Sequence, residues 1–349
     1  MSLFANLGLQ LPVIQAPLAG VQNSRLPLAV CAAGGLGSLP AAMLSLDQLR
    51  SELTTLKVGT ERPWNVNFFA HTPPLPDPAR EAAWRQALAP YYSEFGIDPE
   101  NIPPGAGRMP FSHEAADLVE EFRPAVVSFH FGLPADDLLQ RVRASGARII
   151  ASATTVDEAR WLAARGVDAV IAQGLEAGGH RGHFLSDDLT QQMGTFTLLP
   201  QIVAAVSCPV IAAGGIVDAA SAAAARALGA SAVQAGTAYM LCPEATTSAL
   251  HRAALQSAAA GHTALTTLFT GRPARGIVNR LMHELGPLNP AAPAFPLATA
   301  AIAPLRAAAE KLGLSDFSPL WSGQNTSGCR DVPAAEITRE LARGFAGAA

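Results

Sequence analysis

Short apolar runs that end in small residues alternate along this chain with longer stretches rich in Ala, Leu and Arg. A short apolar run bounded by Gly or Pro reads as a strand buried on both faces, and a longer amphipathic stretch as a helix laid against it. The runs fall at Pro12 to Gly20, Gly34 to Ser38, Trp64 to Phe69, Ala125 to Gly132, Arg148 to Ser152, Asp168 to Ile171, Pro209 to Gly215 and Ala232 to Thr237. Predicted helices between them include Leu26 to Ala33, Ser45 to Leu56, Thr155 to Arg165 and Asp218 to Leu228, the last two opening on the capping residues Thr155 and Asp218. Eight β/α units in succession close most economically as a (β/α)8 TIM barrel. The rival, an open doubly wound sheet, usually carries G-x-G-x-x-G after its first strand, and Ala16-Pro-Leu-Ala-Gly20 stands there instead.

A barrel needs roughly 250 residues, so a chain of 349 has a surplus. One part is 71–110, with proline-rich ends and a helix-like middle from Ala79 to Tyr92; following the third strand, it is expected to lie over the active face as a lid. The other is 243–349, whose amphipathic pieces Ser248 to Ala260, Ala301 to Leu312 and Ala334 to Phe345 predict a small helical subdomain over the same mouth. The expected division is therefore a barrel from 1–70 and 111–242, a lid at 71–110, and a helical covering subdomain with barrel closure at 243–349.

Composition narrows the partners. Apolar residues make up 49% and the formal net charge is −4, with no basic stripe, so a nucleic-acid partner is not expected. Prolines 287, 290, 293, 296 and 304 interrupt the one long uncharged stretch, which argues against a membrane span. Four scattered cysteines and an N-terminus without a basic leader lead to the expectation of a reducing, cytoplasmic setting. The oligomeric expectation is a monomer or homodimer.

The candidate chemistry gathers at the C-terminal ends of the predicted strands. After Asp168 to Ile171 comes Gln173, then a loop with Gly178, Gly179 and Gly182 around His180; such glycines let backbone amides approach a flat or anionic ligand. Gly214 and Gly215 end the seventh strand, and Gln234-Ala235-Gly236-Thr237 the eighth. In barrels the loops after these strands often hold a phosphate, and the alternative is two ordinary glycine-ended turns. Asn67, Gln173 and the Gln15-Ala16-Pro17 strand end offer mixed donors and acceptors of the kind a flavin ring edge requires, while Ala16, Pro17 and Gly178 leave room for its faces. His130 and His180 end the fourth and sixth strands, placing two candidate donors or acid/base groups at one mouth, although either is equally explained as a packed residue. His180 and His183 have i, i+3 spacing, but a glycine-rich loop does not fix metal geometry, so no metal is expected. Arg272 and Arg275 are each open to a cofactor phosphate, a substrate carboxylate or an internal carbonyl. Trp321-Ser-Gly-Gln324-Asn adds a late amide-rich turn, and Tyr91 and Tyr92 are read as packing residues before substrate contacts.

Together these motifs resemble the nitronate monooxygenase family, once called 2-nitropropane dioxygenases, in its bacterial class I type. The resemblance runs from about Pro12 to Cys329 and rests on Gln15-Ala-Pro-Leu-Ala-Gly20, Ser128-Phe-His-Phe-Gly-Leu-Pro134, Gln173-Gly-Leu-Glu-Ala-Gly-Gly-His-Arg-Gly182, Gly214-Gly215 and Gln234 to Thr237. The third motif is shared with flavin-type enoyl-acyl-carrier-protein reductases, which are usually Gly-rich where this chain has His130 and Phe131. Leu18 stands where such monooxygenases often carry Met. The resemblance implies FMN bound by Ala16, Pro17, Asn67, Gln173, Gly178, Gly179, Gly214, Gly215, Gln234, Ala235, Gly236, Thr237 and Gln324. It further implies that a small nitronate, such as propionate 3-nitronate, is oxidised with O2 to a carbonyl compound and nitrite through a flavin semiquinone, without NAD(P)H. His180 is expected to hydrogen-bond the nitro oxygens, or to act as base on a neutral nitroalkane, with His130 as second donor. The competing expectations are NAD(P)H-dependent reduction of an enoyl thioester or quinone on the same flavin, and a barrel that only binds a phosphorylated metabolite.

Overall fold

The computed structural model describes residues 6–103 and 107–345, so the ends of the 1–70 and 243–349 segments and three residues of 71–110 lie outside it. In chain order the strands are β1 (Val13–Gln15), β2 (Gly37–Pro40), β3 (Trp64–Phe69), β4 (Val126–His130), β5 (Arg148–Ala153), β6 (Ala169–Gln173), β7 (Gly179–His180), β8 (Val210–Ala213), β9 (Ala232–Ala235), β10 (Thr263–Thr266) and β11 (Ala274–Ile277). Eight of them form one parallel sheet in the order β1-β9-β8-β6-β5-β4-β3-β2, and a bridge between Ile14 and Leu36 joins the two ends. With helices between the strands, this is a (β/α)8 TIM barrel.

Alternation along each strand sorts the side chains into two cores. Outward residues such as Val66, Val127, Phe129, Ile149, Val170 and Val233 pack under the surrounding helices. Inward residues Ile14, Val126, Ile150, Ile171 and Ile211 fill the barrel floor. Two residues further along the same inward faces the chemistry turns polar, giving Asn67, Ser128, Ser152, Gln173 and Gln234. The interior thus changes from hydrocarbon to amide and hydroxyl as it rises towards the C-terminal rim. Asn65 and Asn67 Nδ2 both donate to Ser128 Oγ, at 2.9 and 3.0 Å, so most of this layer satisfies itself.

Local sequence sets the helix starts as expected from the capping residues. Thr155 accepts from the Glu158 amide ahead of the helix Val156–Ala164, and Asp218 and Ser221 form a reciprocal cap on Ala219–Ala227. In 71–110 a helix spans Pro78–Phe95, begun by Asp77 with proline in its first turn and ended by Gly96 at φ 63°. It lies along the helix Ala298–Lys311, where Trp84 Nε1 donates to Ala298 O at 3.2 Å and Tyr92 OH to Ala301 O at 2.6 Å. Tyr91 and Tyr92 are buried in this second core with Leu268, Phe269, Ile302 and Phe317.

The region 243–349 holds more than helices. Its β10 and β11 pair antiparallel, and β11 pairs in turn with β7, the two-residue strand that carries His180. Periodicity gave no sign of this sheet, because Thr-Ala-Leu-Thr and Ala-Arg-Gly-Ile are four residues each with no sustained alternation. Among the described residues no helix is long and apolar enough to cross a membrane.

Candidate active site

A cavity of about 270 Å³ opens at the C-terminal rim of the barrel, the end where barrel enzymes place their chemistry. Its lining gathers Ala16, Pro17, Asn67, His130, Gln173, Gly178, Gly179, His180, Gly214, Gly215, Gln234, Ala235, Gly236 and Thr237. Gln324, expected among the cofactor residues, does not line the cavity: its side chain is exposed and its backbone amide donates to Glu176 O at 2.9 Å, while its neighbours Gly323 and Asn325 face the cavity.

His180 is held from both sides. Pairing of β7 with β11 sets Gly179 opposite Arg275 and His180 opposite Ala274. From the barrel side, the His180 carbonyl accepts from Gln173 Nε2 at 3.0 Å and from His130 Nε2 at 3.1 Å. The other end of the Gln173 amide accepts from the Gly182 amide at 2.8 Å, so one side chain spans the loop. The Gly179–His180 part of the glycine-rich segment is therefore held as a short strand, following a turn at Leu175-Glu176. The imidazole packs edge-on to Phe295 and Phe69 at 5.3 and 6.1 Å and against Trp321 at 5.5 Å. Its Nε2 meets Thr270 Oγ1 at 2.9 Å, and its Nδ1 has no partner among the described residues. Burial, followed by the positive charge of Arg108 and the neighbouring histidines and Arg272, holds its pKa well below the usual histidine value. The ring is neutral at physiological pH.

His130 has a different geometry from the second donor expected of it. A carbonyl only accepts, so its Nε2 carries the proton given to His180 O, and its Nδ1 accepts from Ser152 Oγ at 3.0 Å. Both ring nitrogens are spent inside the protein. Burial lowers its pKa to about 3, against the opposing pull of the His180 carbonyl. Its contacts make it a support for the backbone of His180.

The opposite wall is made of backbone. Gly214 and Gly215 adopt φ 113° and 72°, which side-chain-bearing residues avoid. A Cβ on Gly178 would lie 2.5 Å from the Gly323 amide nitrogen, so only glycine lets these two segments touch. The Glu176 carboxylate, also in the wall, accepts from the Thr195 amide at the start of the helix Thr195–Ala205, at 2.8 and 2.9 Å, a placement the helix dipole favours. Thr237 Oγ1 accepts from the Gly323 amide at 2.9 Å and ties the tail to the turn after β9.

The two arginines left open by the sequence serve the scaffold. Arg275 donates to Leu175 O at 2.9 Å and to Thr263 O at 3.3 Å, locking β7's approach to the hairpin. Arg272 donates to His183 O and lies 4.2 Å over the Phe131 ring; burial draws its pKa down to about 10. Sequence reasoning missed Arg108, Phe69 and Met43, which also face the cavity, along with Thr270 behind His180. Phe69 ends a strand already identified, and its inward turn could not be told from its neighbour Phe68. Nothing local marks Arg108, which reaches the site from the inserted segment.

A closed parallel barrel with a rim cavity, a glycine-built backbone wall and a buried neutral imidazole defines a barrel enzyme that binds a small ligand beside a cofactor-sized cradle. The family is shown by comparison: a model of the nitronate monooxygenases matches residues 2–344, and the chain belongs to that family. It is 43% identical over 342 residues to the nitronate monooxygenase of Pseudomonas aeruginosa, covering 96% of both chains. With that of Paraburkholderia phytofirmans it shares 41% over 344 residues, covering 97% of this chain and 93% of the relative. Among solved structures, the nitroalkane oxidase from Streptomyces ansochromogenes superposes with a TM-score of 0.88 at 38% identity, covering 98% and 97%. FabK from Thermotoga maritima, at TM-score 0.70 and 24% identity, shares the fold. The protein is thus an oxidoreductase of the nitronate monooxygenase family.

The wall fits a flavin on its own evidence. Gln234 Oε1 is buried with no hydrogen-bond partner among the described residues, an acceptor awaiting a donor such as a ring N–H. The left-handed Gly214-Gly215 pair leaves an open cradle of backbone, with nothing closer to a Gly215 Cβ than Glu176 Cβ at 3.8 Å.

Proposed function

We propose that this protein oxidises small alkyl nitronates with O2 to a carbonyl compound and nitrite, using FMN and no NAD(P)H. The observation that carries this reading is the neutral His180 ring, with Nδ1 free, in the same cavity as the glycine cradle. Ala16, Pro17, Asn67, Gln173, Gly178, Gly179, Gly214, Gly215 and Gln234 to Thr237 would hold FMN, which when bound supplies one-electron oxidation and reaction with O2. Segments 71–110 and 243–349 would cover the mouth and keep water out. A family of small-molecule enzymes and four free cysteines fit a reducing, cytoplasmic setting.

The role of His180 follows from its tautomer. When the Thr270 hydroxyl donates to Nε2, Nδ1 carries the proton and points an N–H donor at a nitronate oxygen; in a dry pocket such a bond both binds and orients the anion. The opposite tautomer leaves Nδ1 as a base for the α-proton of a neutral nitroalkane. A ring whose pKa is held well below the ordinary value is a weak base. A neutral ring with Nδ1 unpartnered suits donation to the preformed nitronate better than proton abstraction from a neutral nitroalkane.

The test is an aerobic assay of nitrite from propionate 3-nitronate with the flavin-loaded protein and no nicotinamide. Nitrite release with O2 uptake is the expected result. No nitrite, together with NADPH consumption on an enoyl thioester or quinone, would replace this reading with the reductase one.

A further inference from the structure

We propose that Arg108 is the specificity determinant of this site and selects substrates carrying a second negative charge, a carboxylate at the end of the alkyl chain remote from the reacting carbon. The inference rests on the nitronate reading above and adds to it the residue that reads the substrate's tail.

Arg108 faces the cavity that also holds His180. After burial, its positive charge is the largest influence lowering the His180 pKa. Arg306 faces the cavity as well, but its Nε is 2.7 Å from the Glu310 carboxylate and its charge is already matched. Arg108 has no carboxylate partner among the described residues. Burial, with the charge of Arg306 nearby, lowers its pKa. Such a group is costly unless an anion joins it.

The guanidinium is also aimed. Its Nη1 donates to Thr299 Oγ1 at 2.9 Å, and that hydroxyl donates onward to Phe269 O at 3.1 Å, which turns a lone pair towards Arg108. The guanidinium carbon stands 5.9 Å from the centre of the Phe295 ring. Three residues on, Phe111 is locked into the barrel: its amide donates to Phe69 O at 2.8 Å and its ring packs 4.7 Å from Phe68. One guanidinium donor is thus used for positioning, and among the described residues the rest of a planar fork suited to two carboxylate oxygens has no partner. His180 serves the nitronate oxygens, so the unmatched arginine is left for a second anionic group.

The test compares propionate 3-nitronate with propyl-1-nitronate, in which a methyl group replaces the carboxylate, on the wild type, Arg108→Met and Arg108→Lys, each with flavin content measured. Arg108→Met keeps an apolar stem of similar length and removes the charge. Losing the partner of a desolvated carboxylate should lower kcat/KM for propionate 3-nitronate by about 100-fold, chiefly through KM, with a change for propyl-1-nitronate at least tenfold smaller. Arg108→Lys should recover part of the preference as a point charge. Equal losses on both substrates would mean that Arg108 binds the nitronate group or the fold, and would overturn the proposal, as would an unchanged preference in Arg108→Met. A wild type that releases nitrite from propyl-1-nitronate but not from propionate 3-nitronate would overturn it while sparing the nitronate reading. Release from neither would remove both.

Discussion

On one side of the cavity Gly214, Gly215, Gly236 and Gly178 present backbone; on the other His180, Phe69 and Arg108 present side chains. The first wall is local. Its shape is dictated by backbone conformations available to glycine and by strand ends that any β/α barrel supplies. The second wall is assembled from far apart in the chain: β7 rests on β11, Arg108 arrives on the inserted segment and is steadied by Thr299, and the ring of His180 meets Thr270. A cradle of backbone suits a constant ligand, and side chains delivered by insertions suit the part that differs between substrates. Breaking each wall should therefore give a different failure.

The largest effect is expected at the side-chain wall. His180→Asn should keep its flavin and lose about 10²- to 10⁴-fold in kcat/KM on nitronates, the usual range for a positioned acid/base or donor group. Absorbance and nitrite release measured on the same preparation check this, and an unchanged kcat/KM would remove His180 from the chemistry. At the backbone wall, Gly215→Val should do the reverse. The position has φ 72° and open space around its Cβ, so the chain folds at a cost of about 1–2 kcal/mol of backbone strain while the new side chain fills the cradle. The purified variant should lose its yellow colour; full flavin content would show that the cradle lies elsewhere.

A smaller, positional effect is expected behind the site. His130→Leu removes the donor to the His180 carbonyl, and about a tenfold fall in kcat with flavin retained is expected from the loosened alignment. His130→Gln restores a donor and should recover most of the loss. If Leu and Gln behave alike, His130 acts through something other than that hydrogen bond.

The mildest effect concerns pH. His71, His183 and His251 titrate near 4 and His130 near 3 in the fold because burial disfavours their charged forms, against 6.5 when unfolded. The unfolded chain therefore binds more protons between these values, so stability is complete above pH 6.5 and declines as pH falls towards 4. Each such histidine contributes up to about 1.4 kcal/mol per pH unit within that window. Tm measured from pH 7 to 4.5 should fall steadily, and His251→Gln, which can still donate to Trp321 O, should make the decline shallower. A flat Tm across that range would contradict the buried, neutral state of these rings.

The contrast between the walls also explains what the sequence could disclose. The barrel was legible because its strands are short apolar runs at regular intervals, and the backbone wall because glycines at strand ends report a local conformational need. His180 was legible by position. Its setting was not: the three-stranded sheet joins Gly179-His180 to residues nearly a hundred positions later, and its four-residue strands carry no periodicity of their own. His130 was found, but its neighbours decide that both nitrogens point inward, and Ser152 and the His180 carbonyl become neighbours only in the fold. Arg108 was missed for the same reason, since an arginine in an insertion looks like any solvated charge until the absence of a carboxylate beside it is seen.

Whether this cavity oxidises a nitronate without help from a nicotinamide is decided by anaerobic mixing of the flavin-loaded protein with propionate 3-nitronate and, separately, with NADPH. Rapid change of the flavin absorbance is expected with the nitronate and none with NADPH. Rapid bleaching by NADPH with no response to the nitronate would contradict it.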